Sequence, residues 1–226
     1  MSPRICLFDI DGTLLNSGGA GQTAMERALA EVFQVQGPHD DIPAAGRTDR
    51  AITQDLFAHH QLDYVAENLE PFLEAYFRNL PVALSGLDGR VLPGIPQLIA
   101  DLQQRDDVVL GLLTGNYRTG AQLKLRHFEL DQPFRFGGYG DHHLDRDDVA
   151  RMAFTEAAAM LGSEIDPSNV WVIGDTPADV RCGRAIGANV IAVATGIYTH
   201  TQLAASRPDH LFADFSDHGQ FLTLLN

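Results

Sequence analysis

The chain has 226 residues, 45% of them hydrophobic and 20% charged, the balance of a globular protein with room for one large domain or a medium one with an insertion. Its formal net charge of -14 at pH 7 argues against nucleic acid or an anionic membrane as a partner, since their phosphates would repel it. No run approaches the ~18 apolar residues of a membrane span. The stretch MSPRICLFDIDG has no long apolar core followed by a cleavage site, so a cytoplasmic protein is expected.

The first predicted element is a strand over 5–8 (ICLF), which runs into Asp9 and Asp11 and then Gly12 and Thr13. Residues i and i+2 of a strand share a face, so the two carboxylates converge just beyond its carboxyl end. Such a pair needs a cation or a shared proton. Hard oxygen ligands suit Mg²⁺, whose shell a substrate phosphate would help to fill. The plainer reading is an acidic turn, because D-G is a common turn pair. LLNSGGAG follows as a hinge. Its Gly18, Gly19 and Gly21 do not make a dinucleotide site, since DIDGTLLNS separates them from the strand.

Met25, Ala28, Leu29, Val32 and Phe33 predict a helix over 23–33, broken at 37–43. AAGRTDR (44–50) opens a second helix with Thr48 as its cap. Leu69, Phe72, Leu73, Tyr76 and Phe77 predict a third over 65–79. Pro81, Gly86, Gly89, Pro93, Gly94 and Pro96 then punctuate the chain. Residues 16–91 thus read as an all-helical cap with no strand signal, inserted into a core made of 1–15 and 92–226.

Downstream, helices and strands alternate: helix 95–104, strand 108–113, helix 119–128, a weak strand 134–137 and helix 148–161. Strand 170–173, helix 177–186, strand 190–194, strand 210–212 and a terminal helix complete the chain. Short apolar strands separated by helices imply an α/β fold, a doubly wound, Rossmann-like parallel sheet with ligands beyond the strands' carboxyl ends. Asp9, Thr114 and Asp175 all fall at such ends. Cys6 and Cys182 fall in predicted core elements and read as free thiols of a reducing compartment.

The chemistry follows from those ends. A carboxylate can attack phosphorus, and Asp9 comes first off its strand. Asp11 could protonate a leaving oxygen and then activate water. Thr114, Gly115 and Asn116 of LLTGN offer a hydroxyl and backbone N–H groups to phosphate oxygens, or simply cap a helix. In WVIGDTPAD, Asp175 can join a metal shell. Asp179, one helical turn on, could orient the metal's water or a ligand, or merely cap its helix. Phosphoryl transfer also wants a fixed cation. Lys124, the sole lysine, lies ten residues past Thr114, and helical rise should carry it away. Arg146 is therefore preferred, its rival role being a solvated arginine among Asp145, Asp147 and Asp148.

DIDGT, LLTGN and GDTPAD, in this order, resemble motifs one, two and four of the haloacid dehalogenase superfamily, and in particular its phosphoglycolate phosphatase-like members. The resemblance implies a Mg²⁺-dependent phosphatase that hydrolyses a small phosphorylated metabolite, phosphoglycolate leading, through an aspartyl-phosphate. It implies Asp9 as nucleophile and Asp11 as acid/base. It places the metal on the Asp9 carboxylate, the Asp11 backbone carbonyl and Asp175, near Asp179. The third motif commonly has lysine where Arg146 aligns. The cap reads the substrate in this family, and Arg47 and Thr48 of AAGRTDR, with Arg50, are its candidates here, unless the arginines pair with Asp49 or Asp55. A sugar phosphomutase would use the same aspartates. A phosphonate hydrolase would need a cap lysine, which this chain lacks, and Asp11 counts against a dehalogenase. From another class, a phospho-accepting receiver also gathers acidic groups at strand ends, but is half this length. HHLD (142–145) and His59-His60 read as exposed histidines rather than a metal site. The sequence leaves a monomer and a homodimer both open.

Overall fold

The computed structural model describes residues 3–35, 37, 39, 41–162 and 164–225. In chain order these form β1 (Arg4–Phe8), β2 (Leu15–Asn16), α1 (Ala20–Phe33), α2 (Asp49–His59), α3 (Ala66–Gly86) and β3 (Arg90–Val91). Next come α4 (Ile95–Gln103), β4 (Val108–Leu113), α5 (Arg118–His127), β5 (Gly137–Gly138) and α6 (Arg146–Leu161). A short 3-10 turn leads to β6 (Val170–Gly174), α7 (Pro177–Ala185), β7 (Asn189–Val193), α8 (His200–Ala205), β8 (His210–Phe212) and α9 (His218–Leu224).

β1 is apolar on both sides, which a strand tolerates only inside a parallel sheet covered on both faces. Cys6 and Phe8 meet Leu98 and Leu102 of α4, Leu125 of α5 and Phe221 of α9. Ile5 and Leu7 meet Val149 and Ala153 of α6 and Cys182 of α7. The six-stranded sheet runs β5-β4-β1-β6-β7-β8, every pair parallel. After β1 the chain builds the sheet outward through β4 and β5, then returns through α6 to β6 on the other flank. The carboxyl end of β1 is therefore the switch point, where open α/β sheets bind ligands. The doubly wound parallel fold expected from the sequence is the one observed.

Helices α1, α2 and α3 build a separate apolar core from Met25, Leu29, Phe57, Phe72, Tyr76 and Leu80, into which Tyr117 inserts from just beyond β4. Residues 48–50 bind this helical unit to the sheet's rim. The Asp49 N–H donates to the Gly115 carbonyl (2.7 Å), and Arg50 Nη1 donates to the Asp141 carbonyl (3.1 Å).

Three local expectations need correction. The stretch 16–91 is not strand-free, because β2 and β3 pair antiparallel, Leu15 with Val91 and Asn16 with Arg90, at the foot of the helical unit. Two-residue strands are too short for alternation to show in a sequence. The third helix continues seven residues past 79, through Pro81, because Leu80, Ala83 and Leu84 are buried along it. That packing outweighs the backbone bond each internal proline removes. The weak strand at 134–137 is reduced to β5, although the Leu112 N–H still takes the Phe136 carbonyl (3.0 Å). Of the predicted break at 37–43, residues 38 and 40 lie outside the described set. Both cysteines are free and buried. Among the described residues no helix is long and apolar enough to cross a membrane.

Candidate active site

Asp9 and Asp175 each follow directly on a central strand, β1 and β6, whose registers bring Phe8 beside Ile173. The Asp9 N–H donates to the Ile173 carbonyl (2.9 Å), which locks the two strand ends together. Asp179 comes from the first turn of α7, where Thr176 and Asp179 cap each other reciprocally. The result is a cluster in which one carboxylate oxygen each of Asp9, Asp175 and Asp179 lies within 4.8 Å of the others, all three residues buried.

A guanidinium faces this cluster. Arg146, at the head of α6, is 3% exposed. Its Nη2 lies 3.5 Å from Asp9 Oδ1, bonds Asp179 Oδ1 directly and donates to the Leu113 carbonyl (3.4 Å). The balance of charge is unfavourable without a further cation. Burial, partly offset by Arg146 and reinforced by Asp179 and Asp11, raises the Asp9 pKa to about 7. Burial and the neighbouring Asp179 and Asp9 raise that of Asp175 to about 9. Three buried oxygen donors with a deficit of positive charge fit a hard divalent cation such as Mg²⁺.

Backbone shape makes room for Asp175. Gly12 has φ +82°, and a Cβ there would fall 2.3 Å from Asp175 Oδ2; a Cβ on Gly196 would fall 1.7 Å from the same atom. The Thr13 hydroxyl donates to Asp175 Oδ1 (3.3 Å). Gly196→Ala is therefore expected to push the Asp175 carboxylate out of place and to cost about 1–3 kcal/mol of stability, read by thermal melting.

Asp11 points elsewhere. Its Oδ1 accepts from the Ser17 hydroxyl (3.1 Å), and its Oδ2 accepts from Asn116 Nδ2 (2.9 Å) and Lys124 Nζ (2.6 Å). Burial works upward on its pKa, but the Lys124 charge and these hydrogen bonds bring it below the usual carboxylate value. The Asp11 side chain thus stands outside the carboxylate cluster, a correction to the expected convergence of the Asp9 and Asp11 carboxylates; the place expected for Asp11 in the metal set was that of its backbone carbonyl.

Lys124 is a second correction. It is 4% exposed, and its ammonium bridges Asp11 and Asn116 Oδ1 (2.6 Å). The helix begins only at Arg118, so six residues rather than ten carry the rise, and a helical side chain leans back toward the N-terminus. Burial lowers the Lys124 pKa, yet Asp11 and Asp49 outweigh that and hold it above its ordinary value.

Other candidates separate. Gly115 and Asn116 line a cavity of about 610 Å³ above the carboxylates, together with Asp9, Asp11, Lys124, Arg146 and Asp175. Thr114 is fully buried beneath Asn116, whose N–H (3.3 Å) and Nδ2 (2.8 Å) its hydroxyl accepts, and it does not line that cavity. Thr48 does not line it either; its hydroxyl caps α2, accepting from the Ala51 N–H (3.1 Å). Arg47 does line it, but its guanidinium pairs with Asp55 (2.7 Å) and donates to the Pro43 carbonyl (3.0 Å). Asp49, expected only as an arginine partner, is a buried cavity wall whose Oδ2 accepts from the Tyr117 N–H (2.9 Å). Burial raises its pKa to about 6. Glu26 and His39 in the same wall carried no sequence signal beyond helical or loop placement.

Comparison with known proteins bears on this geometry. A validoxylamine A 7'-phosphate phosphatase of Streptomyces hygroscopicus subsp. limoneus is 26% identical over 95% of each chain. A phosphoglycolate phosphatase of Rhodospirillum rubrum is 27% identical over 97% of this chain and 91% of its own. The crystal structure of CbbY from Rhodobacter sphaeroides in complex with phosphate superposes with a TM-score of 0.75 at 19% identity, covering 96% of both chains, a likeness of fold. Residues 3–187 match the family described as haloacid dehalogenase-like hydrolase, and the chain belongs to that family of enzymes.

Proposed function

We propose that the protein is a Mg²⁺-dependent phosphatase that hydrolyses a small phosphomonoester through an aspartyl-phosphate on Asp9. The observation that carries this reading is the convergence of Asp9, Asp175 and Asp179 on Arg146 at adjoining strand ends, with Asp11 tethered beside them. Asp9 and Asp175 would hold the ion, with the Asp11 backbone carbonyl, and Asp179 would fix Arg146 from behind. Bound there, Mg²⁺ would supply positive charge to the phosphoryl oxygens. Arg146 adds a second, permanent charge beside the nucleophile. Gly115 and Asn116 border the cavity where phosphate oxygens would lie. Asp11, held ionised by Lys124, is set as the base that activates water against the phosphorus. To protonate the leaving oxygen in the first step Asp11 must first take up a proton, which a substrate phosphate arriving as its monoanion would supply; the carboxylate left after that transfer then accepts the proton of the attacking water. The helices α1–α3 would act as the cap, and phosphoglycolate is one member of the substrate class proposed.

Turnover of a panel of phosphomonoesters with Mg²⁺, and its loss in chelator, tests the reading. A metal effect on stability should accompany it. Asp9 and Asp175 titrate above the ordinary carboxylate value of 3.8, so their contribution to metal-free stability is full below about pH 4 and lost as pH rises through about 7 and about 9. Mg²⁺ needs the ionised forms. The Tm gain on adding Mg²⁺ should therefore grow from pH 6 to pH 9; a gain that shrinks over that range contradicts the assignment.

A further inference from the structure

Beyond the phosphoryl end, the cavity runs under the helical unit along Met25, Ile42, Ile52 and Leu56. Its volume of about 610 Å³ is that of a pocket for a ring-sized ligand, much more than a two-carbon acid fills. The charges on this side are unusual for a site that would take a second anion. Glu26 of α1 is in the wall and part-exposed. Its Oε1 accepts from Gln22 Nε2 (3.1 Å) and from the His39 N–H (3.2 Å), while its Oε2 has no partner among the described residues. The His39 ring Nδ1 stands 3.7 Å from Oε1, an ion pair only when that ring is protonated, and makes no hydrogen bond there. The His39 Nε2 meets His60 Nε2 at 2.6 Å, a contact in which one of the two nitrogens carries the hydrogen and the other accepts it. Asp49 adds a second carboxylate to the wall.

The cations that could receive a substrate carboxylate are already matched. Lys124 is spent on Asp11 and Asn116, Arg47 on Asp55, and Arg146 on Asp9 and Asp179. Among the described residues, each lysine and arginine that lines the cavity thus already faces a carboxylate.

We infer that Glu26, with Asp49, selects phosphomonoesters whose leaving part is a sugar-sized ring bearing hydroxyl or ammonium donors, and turns away those bearing a carboxylate. The apolar strip packs against the ring carbons, and Glu26 Oε2 accepts from the donor. This rests on the phosphatase reading above.

The test compares kcat/KM of the purified protein with Mg²⁺ on glucosamine 6-phosphate, glucose 6-phosphate, 2-phosphoglycolate and p-nitrophenyl phosphate. One charge pair a few ångströms apart in a partly shielded site is worth about tenfold or more. Glucosamine 6-phosphate should therefore exceed phosphoglycolate by at least about tenfold, with glucose 6-phosphate between. In Glu26→Gln the ratio of phosphoglycolate to glucosamine 6-phosphate should rise about tenfold, and Glu26→Asp should bring it back toward the wild-type value. Equal or better turnover of phosphoglycolate by the wild type, or an unchanged ratio in Glu26→Gln, overturns the inference while leaving the phosphatase reading intact. Failure to hydrolyse any of the four, p-nitrophenyl phosphate included, overturns both.

Discussion

Asp9→Asn should lower kcat by on the order of 10⁴-fold or more, because an amide cannot attack phosphorus and no neighbouring carboxylate is placed to replace it. Asp175 is wedged against Gly12 and Gly196, and Asp179 has one oxygen on Arg146 and the other on Thr176. The fold should survive. Asn keeps the shape of the side chain and the Asp9 N–H bond to Ile173, and Arg146 keeps Asp179 as partner. Without metal the variant should even be the more stable one. Wild-type Asp9 is buried with a pKa raised to about 7, so its ionisation costs the folded state increasingly between about pH 4 and pH 7. Asn removes that cost, and the advantage, on the order of a few kcal/mol, should be absent near pH 4 and complete above pH 7. Thermal melts across that range, run in chelator, would show it. Near-normal turnover in Asp9→Asn would mean that another group is the nucleophile.

Arg146→Ala has the second large effect, and it separates stability from catalysis. Removing one partner of a buried ion pair costs about 3–5 kcal/mol, because the remaining charge keeps its desolvation penalty. Here three carboxylates would be left within 4.8 Å of one another without a guanidinium. The metal-free variant should melt well below the wild type at pH 8. The deficit should shrink toward pH 5, where Asp9 and Asp175 take up protons. Mg²⁺ should restore much of the stability and little of the rate, since the charge beside the transferring group would still be missing; a loss of roughly 10²-fold or more in kcat is expected. Equal melting of variant and wild type in chelator at pH 8 would show that Arg146 does not neutralise the cluster.

The sequence carried the sheet well because its strands are buried on both faces. The continuous apolar runs ending at Asp9, Leu113 and Gly174 mark both the strand and the point where the chain leaves it. Asp9 and Asp175 stand at such endings, whereas Asp179 reaches the same point from the first turn of α7 and Arg146 from the head of α6. What stayed hidden depends on side-chain reach and on contacts across the helical unit. Lys124 was dismissed by counting residues along the chain. Yet it sits with Gly120, Ala121 and Leu125 on the buried stripe of its helix, a signal that its ammonium had to find partners inside. Asp49 read as an ordinary first-turn acid of α2, and only its tertiary bond to the Tyr117 N–H reveals it as a wall of the cavity. Thr48 announced its capping role correctly, and that role uses up the hydroxyl the substrate was expected to meet.

The covalent step can be read directly. Enzyme mixed with Mg²⁺ and a phosphomonoester, then quenched with borohydride, converts an acyl-phosphate to an alcohol that peptide mass spectrometry locates. The expected result is reduction at residue 9 alone, dependent on both metal and substrate and absent in Asp9→Asn. Reduction at residue 11, 175 or 179 during normal turnover, with residue 9 untouched, would contradict the assignment of Asp9.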